Sequence, residues 1–182
     1  MSHLTRRMLR AAALHADTYE EVEADPTSLR QAALVVLAAS VAIAGARALQ
    51  GVQAGVEGER LAFQVLISWL EPLVLWLGGS AFALMVGATF FRGPETESDY
   101  PEVLRTTGFA FTPALLRLLV FLPQPLGLGI DLLARAWTFV AVVVAIRQAL
   151  DFTTLRAIGT FGFAALLLWL VVWGLSVAPL PC

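Results

Sequence analysis

Four ionisable side chains stand in or beside long apolar stretches: Glu71, Arg117, Asp131 and Arg135. Charge held within hydrocarbon is costly, so such groups pair with one another, line a polar cavity, or carry ions and protons. Asp131 precedes Arg135 by four residues, the favourable acid-before-base order on a helix. Arg117 lies twelve residues beyond Arg105. That is roughly 18 Å along a helix, deep enough to call for Glu71 or Asp131 as its partner. Three uses fit these residue types: an ion pair fixing three helices, a proton or ion pathway, and a lipid-headgroup site. The structural pair is the reading adopted.

A second concentration of charge is the acidic run Glu20, Glu21, Glu23 and Asp25. It reads as a solvated face paired with nearby arginines or as a docking surface for a partner. Other chemistry is hard to assemble. The two histidines, His3 and His15, both precede the apolar region and are far from Cys182 in sequence, so no metal site is expected. Gly127-Leu128-Gly129 lacks the strand and the third glycine of a nucleotide loop. No serine sits in a nucleophile elbow. The expectation is a protein without catalytic activity, cofactor or metal.

The elements that carry these residues follow from composition. Of 182 residues, 58% are hydrophobic and 14% charged, with a mean hydropathy of +0.77. A soluble domain averages ~45–50% apolar and ~25% charged. The excess excludes a disordered chain, a nucleic-acid-binding domain and an ordinary cytosolic enzyme. A net charge of −2 supplies no basic field for a polyanion. All 12 basic residues are Arg, and the absence of Asn excludes N-glycosylation. One cysteine allows no intrachain disulfide, and its position as residue 182 does not match a prenylation box. Arg6 and Arg7 precede only a short apolar run, whereas a secretion signal needs ~7–15 apolar residues. A cleaved leader is not expected.

A spanning helix takes ~20 mostly apolar residues. Five are expected, at about 32–49, 72–91, 106–122, 128–146 and 157–178. Glu71-Pro72 divides the stretch 61–91, so 61–70 reads as an interfacial or re-entrant segment and Pro72 as the start of a span. Pro123-Gln124-Pro125 stops the third span. The apolar runs do not alternate as barrel strands would, and backbone in lipid must pair within its own segment. The fold class is therefore an all-α polytopic helix bundle.

Arginine placement orients it. Arg6, Arg7, Arg10, Arg30, Arg92, Arg105, Arg147 and Arg156 fall on one side, against Arg47, Arg60, Arg117 and Arg135 on the other. This puts the N-terminus in the cytoplasm and the C-terminus outside, with Trp69 and Trp137 near the outer boundary. Residues 1–30 form a cytoplasmic amphipathic segment ahead of the membrane domain, 31–182. Within it, Asp17 and Glu20 have capping-box spacing, and Asp25-Pro26 reads as the cap and first turn of span one.

Small residues recur at four-residue steps: Ser40, Ala44 and Ala48; Gly79, Ala83 and Gly87; Ala141, Ala145 and Ala149. Such stripes let helices approach closely in lipid. They are read as packing within the bundle, with a dimer face as the other use.

Residues 17–26, DTYEEVEADP, followed by Arg30-Gln31-Ala32 and an apolar helix, resemble the start of bacterial members of the Yip family, named for eukaryotic proteins that interact with Ypt/Rab GTPases. Residues 99–116, DYPEVLRTTGFAFTPALL, and the stretch 137–159, ending RQALDFTTLRAIG, are similar to later parts of that family's pattern in the same order. The resemblance implies five spans with a cytoplasmic N-terminus, no reaction, and a role in membrane organisation or trafficking. It does not extend to the DLYGP-type segment of the eukaryotic members, so GTPase binding is not carried over. The expected protein is a scaffold in the bacterial inner membrane, whose partners are the lipid bilayer and a second copy or another membrane protein, not nucleic acid. The competing reading is a small transporter or channel subunit using the Glu71, Arg117, Asp131 and Arg135 cluster.

Overall fold

The computed structural model describes residues 3–56, 58–91, 98–123 and 125–177, with side chains as far as residue 170. Cys182, Arg92, Gln124 and the end of the fifth expected span at residue 178 lie outside the described residues. The described residues form helices α1 (His3–Ala12), α2 (Ala16–Ala24), α3 (Ser28–Gln53), α4 (Gly58–Phe90), α5 (Tyr100–Phe109), a 3₁₀ segment (Thr112–Phe121), α6 (Leu126–Ala149) and α7 (Thr154–Val177). There is no strand among them. Helices α3, α4 and α6, together with the unit Tyr100–Phe121, are each long and apolar enough to cross a membrane, and α7 is a further apolar helix. The fold is the all-α polytopic membrane helix bundle that hydropathy and backbone pairing call for.

Helix α4 departs from the expected division at Glu71-Pro72. It is one helix of 33 residues, about 50 Å at ~1.5 Å per residue. Residues 61–70 belong to its first half and run without a break into the rest of it. Proline inside a helix removes one backbone bond, and packing by neighbouring helices makes that tolerable in a membrane bundle. Pro72 opens the buried stripe Pro72, Trp76, Ser80, Ala83 and Gly87, at helical spacing, which turns α4 towards its neighbours. The opposite faces carry exposed Leu66, Leu70, Val74, Leu77 and Met85, a surface suited to lipid.

The expected third span is likewise not a single α-helix. Asp99 and Glu102 close a capping box: Glu102 N–H donates to Asp99 Oδ1 at 2.8 Å and Asp99 N–H to Glu102 Oε2 at 2.8 Å. Helix α5 then ends at Phe109, and a ten-residue 3₁₀ segment follows. Pro113 has no N–H to offer the Phe109 carbonyl, and the Thr112 hydroxyl donates to it instead, at 2.7 Å. Residue 112 is also biased away from α geometry because it precedes proline. Long 3₁₀ runs are uncommon; this one is held at the centre, with Thr112, Pro113, Ala114, Arg117 and Val120 all buried.

The segment read as a separate cytoplasmic piece is built into the bundle. Ala11, Tyr19 and Val22 are fully buried in the same core as Val36 of α3, Trp76 of α4, Phe109 of α5 and Ala141 of α6. The corner between α1 and α2 places Leu14 at φ 61°, which costs an L-residue about 1–2 kcal/mol and is offset by that burial. Helix α2 begins at Ala16 with His15 as its cap, not at Asp17. Helix α3 begins at Ser28 rather than at Pro26; Asp25 Oδ1 accepts from the Thr27 N–H at 2.9 Å and its hydroxyl at 2.6 Å just ahead of it.

The small-residue stripes are largely spent inside the chain. Ala83, Gly87, Ala141, Ala145 and Ala149 are buried, as are Ser40 and Ala44, while Ala48 is half-buried. Gly79 differs: a Cβ there would meet nothing within 4 Å, so it is not a packing glycine. Among the described glycines, the one against which another helix's backbone stands is a glycine that the stripes did not include, with Ala32 Cα 3.2 Å from where its Cβ would be. At Gly108 a Cβ would stand 2.7 Å from Ala32 Cβ and 3.1 Å from Trp76 Nε1. Gly108→Ala is expected to cost about 1–3 kcal/mol through overpacking, and Gly79→Ala less than about 0.5 kcal/mol. Thermal unfolding in detergent checks the contrast; equal midpoints for the two variants would remove Gly108 as the pin.

Candidate functional site

Three of the four ionisable residues singled out in the apolar stretches come together. The Arg117 Nε donates to Asp131 Oδ1 at 2.6 Å, and the Arg135 Nε to Asp131 Oδ2 at 2.8 Å. Arg117 sits on the 3₁₀ segment and is 8% exposed; Asp131 and Arg135 share one face of α6, and Asp131 is 5% exposed. One carboxylate thus uses both oxygens to bind the 3₁₀ segment to α6. Glu71 does not join them: it is exposed on α4 and makes no ion pair among the described residues. It lines a polar cleft of about 290 Å³ that Arg117 and Arg135 also line, together with Arg47, Gln50, Gln64 and Ser68. In the sequence Arg47 counted only towards the orientation; its place in this cleft depends on how α3 lies against α4.

Removing the shared carboxylate leaves Arg117 buried without its partner. Asp131→Asn is expected to cost about 3–5 kcal/mol, and Arg135→Ala, whose side chain is 56% exposed, under about 1 kcal/mol. Replacing Arg117 and Asp131 together by Leu should cost less than Asp131→Asn alone. Unfolding midpoints for the three variants test this; equal losses for Asp131→Asn and Arg135→Ala would refute the clamp.

The acidic run is divided by the fold. Arg7, 4% exposed, donates through Nε to Glu21 at 2.9 Å and through Nη1 to Gln31 at 3.2 Å, and its Nη2 stands 2.9 Å from Asp25. Glu21 and Asp25 are therefore the internal partners of a buried guanidinium. The Arg7 bond holds the Glu21 carboxyl below its ordinary range. Hydrogen bonds from Thr27, then Arg7, bring Asp25 down to about 2. Glu20 faces outward and accepts from Gln148 of α6 at 2.8 Å. The Glu23 carbonyl accepts Arg105 Nε at 2.9 Å. Its half-buried carboxyl is pushed up to about 7 by burial first, then by Asp151, Glu102 and Glu20, with Arg105 pulling the other way. Four carboxylates from α2, α5 and the turn after α6 thus gather on one polar face. Only Glu20 and Glu23 of that set stood out in the sequence; Glu102 and Asp151 are remote from them in the chain.

Trp137, read as an outer-boundary residue, instead donates its indole N–H to the Ala12 carbonyl at 2.8 Å. With Glu20 on Gln148, the N-terminal hairpin touches α6 at two points eleven residues apart, about 16 Å along the helix. Elsewhere, an apolar cavity of about 210 Å³ lies among α4, α5, α6 and α7, with Gly79, Ser80, Thr107 and Thr138 in its wall. No group of three His, Cys, Asp or Glu placed to hold a metal occurs among the described residues.

Residues 14–175, from the corner between α1 and α2 to the end of the last apolar helix, match the Yip1 domain, and they include the capped α5, the 3₁₀ segment with its inner proline and the turn leading into α7. The chain belongs to the Yip1 domain family. No match was found among curated proteins or solved structures. The polar anchors of the hairpin are Arg105 and Gln148 inside this Yip1 domain and Arg7 ahead of it, none of which stood out by residue type or spacing.

Of the three displaced carboxyl groups of the hairpin, Glu23 gives it a pH response opposite to that of Asp25 and Glu21. Glu23 is raised from its ordinary 4.5 to about 7, so the folded form binds the proton more tightly. The stability it contributes is full below about 4.5 and is lost as pH rises to about 7. Asp25 is lowered from 3.8 to about 2, so its contribution is present above 3.8 and lost as pH falls towards 2. Hydrogen exchange of α2 amides, corrected for intrinsic rates, is expected to speed up between pH 5 and pH 8, with Glu23→Gln flattening the change. An unaltered pH dependence in Glu23→Gln would show that another group sets it.

Proposed function

We propose that this Yip1 domain protein is a non-enzymatic scaffold or trafficking-type adaptor of the bacterial inner membrane, with its N-terminus in the cytoplasm. It docks a basic segment of a partner protein on the face where α2, α5 and the turn after α6 meet. The observation that carries this reading is the approach of Glu20, Glu102 and Asp151, from separate stretches of chain, to the half-buried carboxyl of Glu23. There Arg105, bonded to the Glu23 carbonyl and 3.9 Å from Glu102, is the one described cation set against three other carboxylates. Like charges held together raise the local negative potential and attract a cationic partner. The rest of the acidic run contributes indirectly, because Glu21 and Asp25 hold Arg7 and so keep α2 in place.

A lateral interface through the small-residue stripes has less support, since Ala83, Gly87, Ala141 and Ala145 pack within the chain. The transporter reading also has less support: Arg117 and Asp131 are paired at 2.6 Å rather than arranged along an open route.

Photo-crosslinking from the exposed face of α2 in native membranes tests the docking. The double variant Glu20→Gln with Asp151→Asn is expected to lower the yield of the partner adduct by about tenfold, the effect of roughly 1.4 kcal/mol of lost affinity. Asn is chosen because Asp151 has φ 49°, a conformation Asn tolerates. An unchanged adduct pattern in a variant of unchanged helicity would rule the docking face out.

A further inference from the structure

The polar cleft among α3, α4, the 3₁₀ segment and α6 holds more positive than negative charge. Arg47, Arg117 and Arg135 stand in its wall with Glu71 as the one carboxylate. Asp131 engages Arg117 and Arg135 through their Nε atoms. Arg47 and Glu71 make no ion pair with each other or with any other described residue. Three cations against two carboxylates leave an excess of one positive charge in this cleft.

The remaining wall indicates what neutralises it. Gln50, Gln64 and Ser68 add uncharged donors and acceptors. Phe63 and Ile67 form an apolar side that is itself exposed and runs into Leu66 and Leu70 along α4. Its volume of about 290 Å³ is at the small end of ligand sites, ~300–1,000 Å³, suited to a headgroup rather than to a whole lipid. Guanidinium forks fit a phosphate through two parallel hydrogen bonds. Ionised Glu71 can only accept, so it calls for a hydroxyl or an ammonium beside that phosphate.

We propose that this cleft binds the headgroup of a glycerophospholipid, with the phosphodiester on Arg47 and Arg135, a headgroup donor on Glu71, and an acyl chain along the exposed Phe63 and Ile67 of α4. The phosphate supplies the missing negative charge, and the donor satisfies Glu71, which has no ion-pair partner among the described residues. The chain thereby carries a lipid-selective site on the helices that its Arg117–Asp131 clamp holds in place.

The full-length protein in detergent, titrated with short-chain phosphatidylglycerol, phosphatidylethanolamine, phosphatidylcholine or inorganic phosphate and followed by thermal unfolding, tests this. Phosphatidylglycerol and phosphatidylethanolamine are expected to raise the midpoint, phosphatidylcholine to raise it less, and inorganic phosphate to leave it unchanged. Arg47→Gln should weaken the apparent affinity at least about tenfold, as expected for a charge-assisted contact, with the lipid-free midpoint unaltered; Arg47→Lys, which keeps the charge without the fork, should fall between. Glu71→Gln should abolish the preference over phosphatidylcholine. Equal stabilisation of wild type and Arg47→Gln by every lipid overturns the site, as does no stabilisation at all. Full stabilisation by inorganic phosphate overturns the lipid assignment in favour of a free anion, and equal response to phosphatidylcholine in the wild type overturns the role of Glu71.

Discussion

Helices α3, α4 and α5 meet at Gly108, and the architecture turns on how closely they do so. The Ala32 Cβ occupies the space a side chain at Gly108 would need, and the Trp76 indole N–H crosses the same junction to donate to the Leu104 carbonyl at 2.9 Å. One helical turn further along α4, Ser80 hydrogen-bonds Thr107 at 2.8 Å. In lipid, association cannot draw on apolar burial alone, since the surrounding chains are as apolar as the side chains. Close backbone approach and polar contacts between helices supply the driving force, and this junction provides both. Helix α5 and the 3₁₀ segment become the buried centre as a consequence, while α4 and α7 turn apolar faces outward.

The same absence of a hydrogen-bonding solvent explains where the polar groups go. Among the described residues each buried arginine meets acceptors from its own chain: Arg7 has Glu21, Asp25 and Gln31, Arg105 has the Glu23 carbonyl, and Arg117 has Asp131. An unpaired buried charge would cost several kcal/mol, so these groups select a single arrangement of the elements that carry them. The N-terminal hairpin is thereby part of the bundle. Its α2 brings Glu20 and Glu23 to a face completed by Glu102 and Asp151, a surface no one segment holds.

Much of the fold was legible because hydropathy and backbone pairing are local properties. An apolar stretch of sufficient length without alternation has to be helical in lipid, whatever it packs against. The misread elements are those where a local rule met tertiary packing. Pro72 has the form of a helix start but lies inside α4, because the neighbouring helices stabilise a stretch that one lost hydrogen bond would otherwise break. Pro113 has the look of a tolerated inner proline but ends α geometry, because the Thr112 hydroxyl takes the Phe109 carbonyl. The capping box lies at Asp99 and Glu102 rather than at Asp17 and Glu20, a choice between two equal spacings that capping chemistry alone does not make.

For the polar sites the division is similar. Residue type and the four-residue step already tied Asp131 to Arg135, since both lie on one helix face. That Arg117 shares the same carboxylate, that Glu71 stands apart with Arg47 across a cleft, and that Glu21 and Asp25 serve Arg7 are relations between helices. The sequence by itself determined the solvent, the helical class, the family pattern and the few positions where charge enters the apolar region. Only the tertiary structure decided which of those charges meet, because in a bundle the partners of a buried ion are set by the rotation and approach of separate helices, and those depend on contacts such as Gly108 against Ala32.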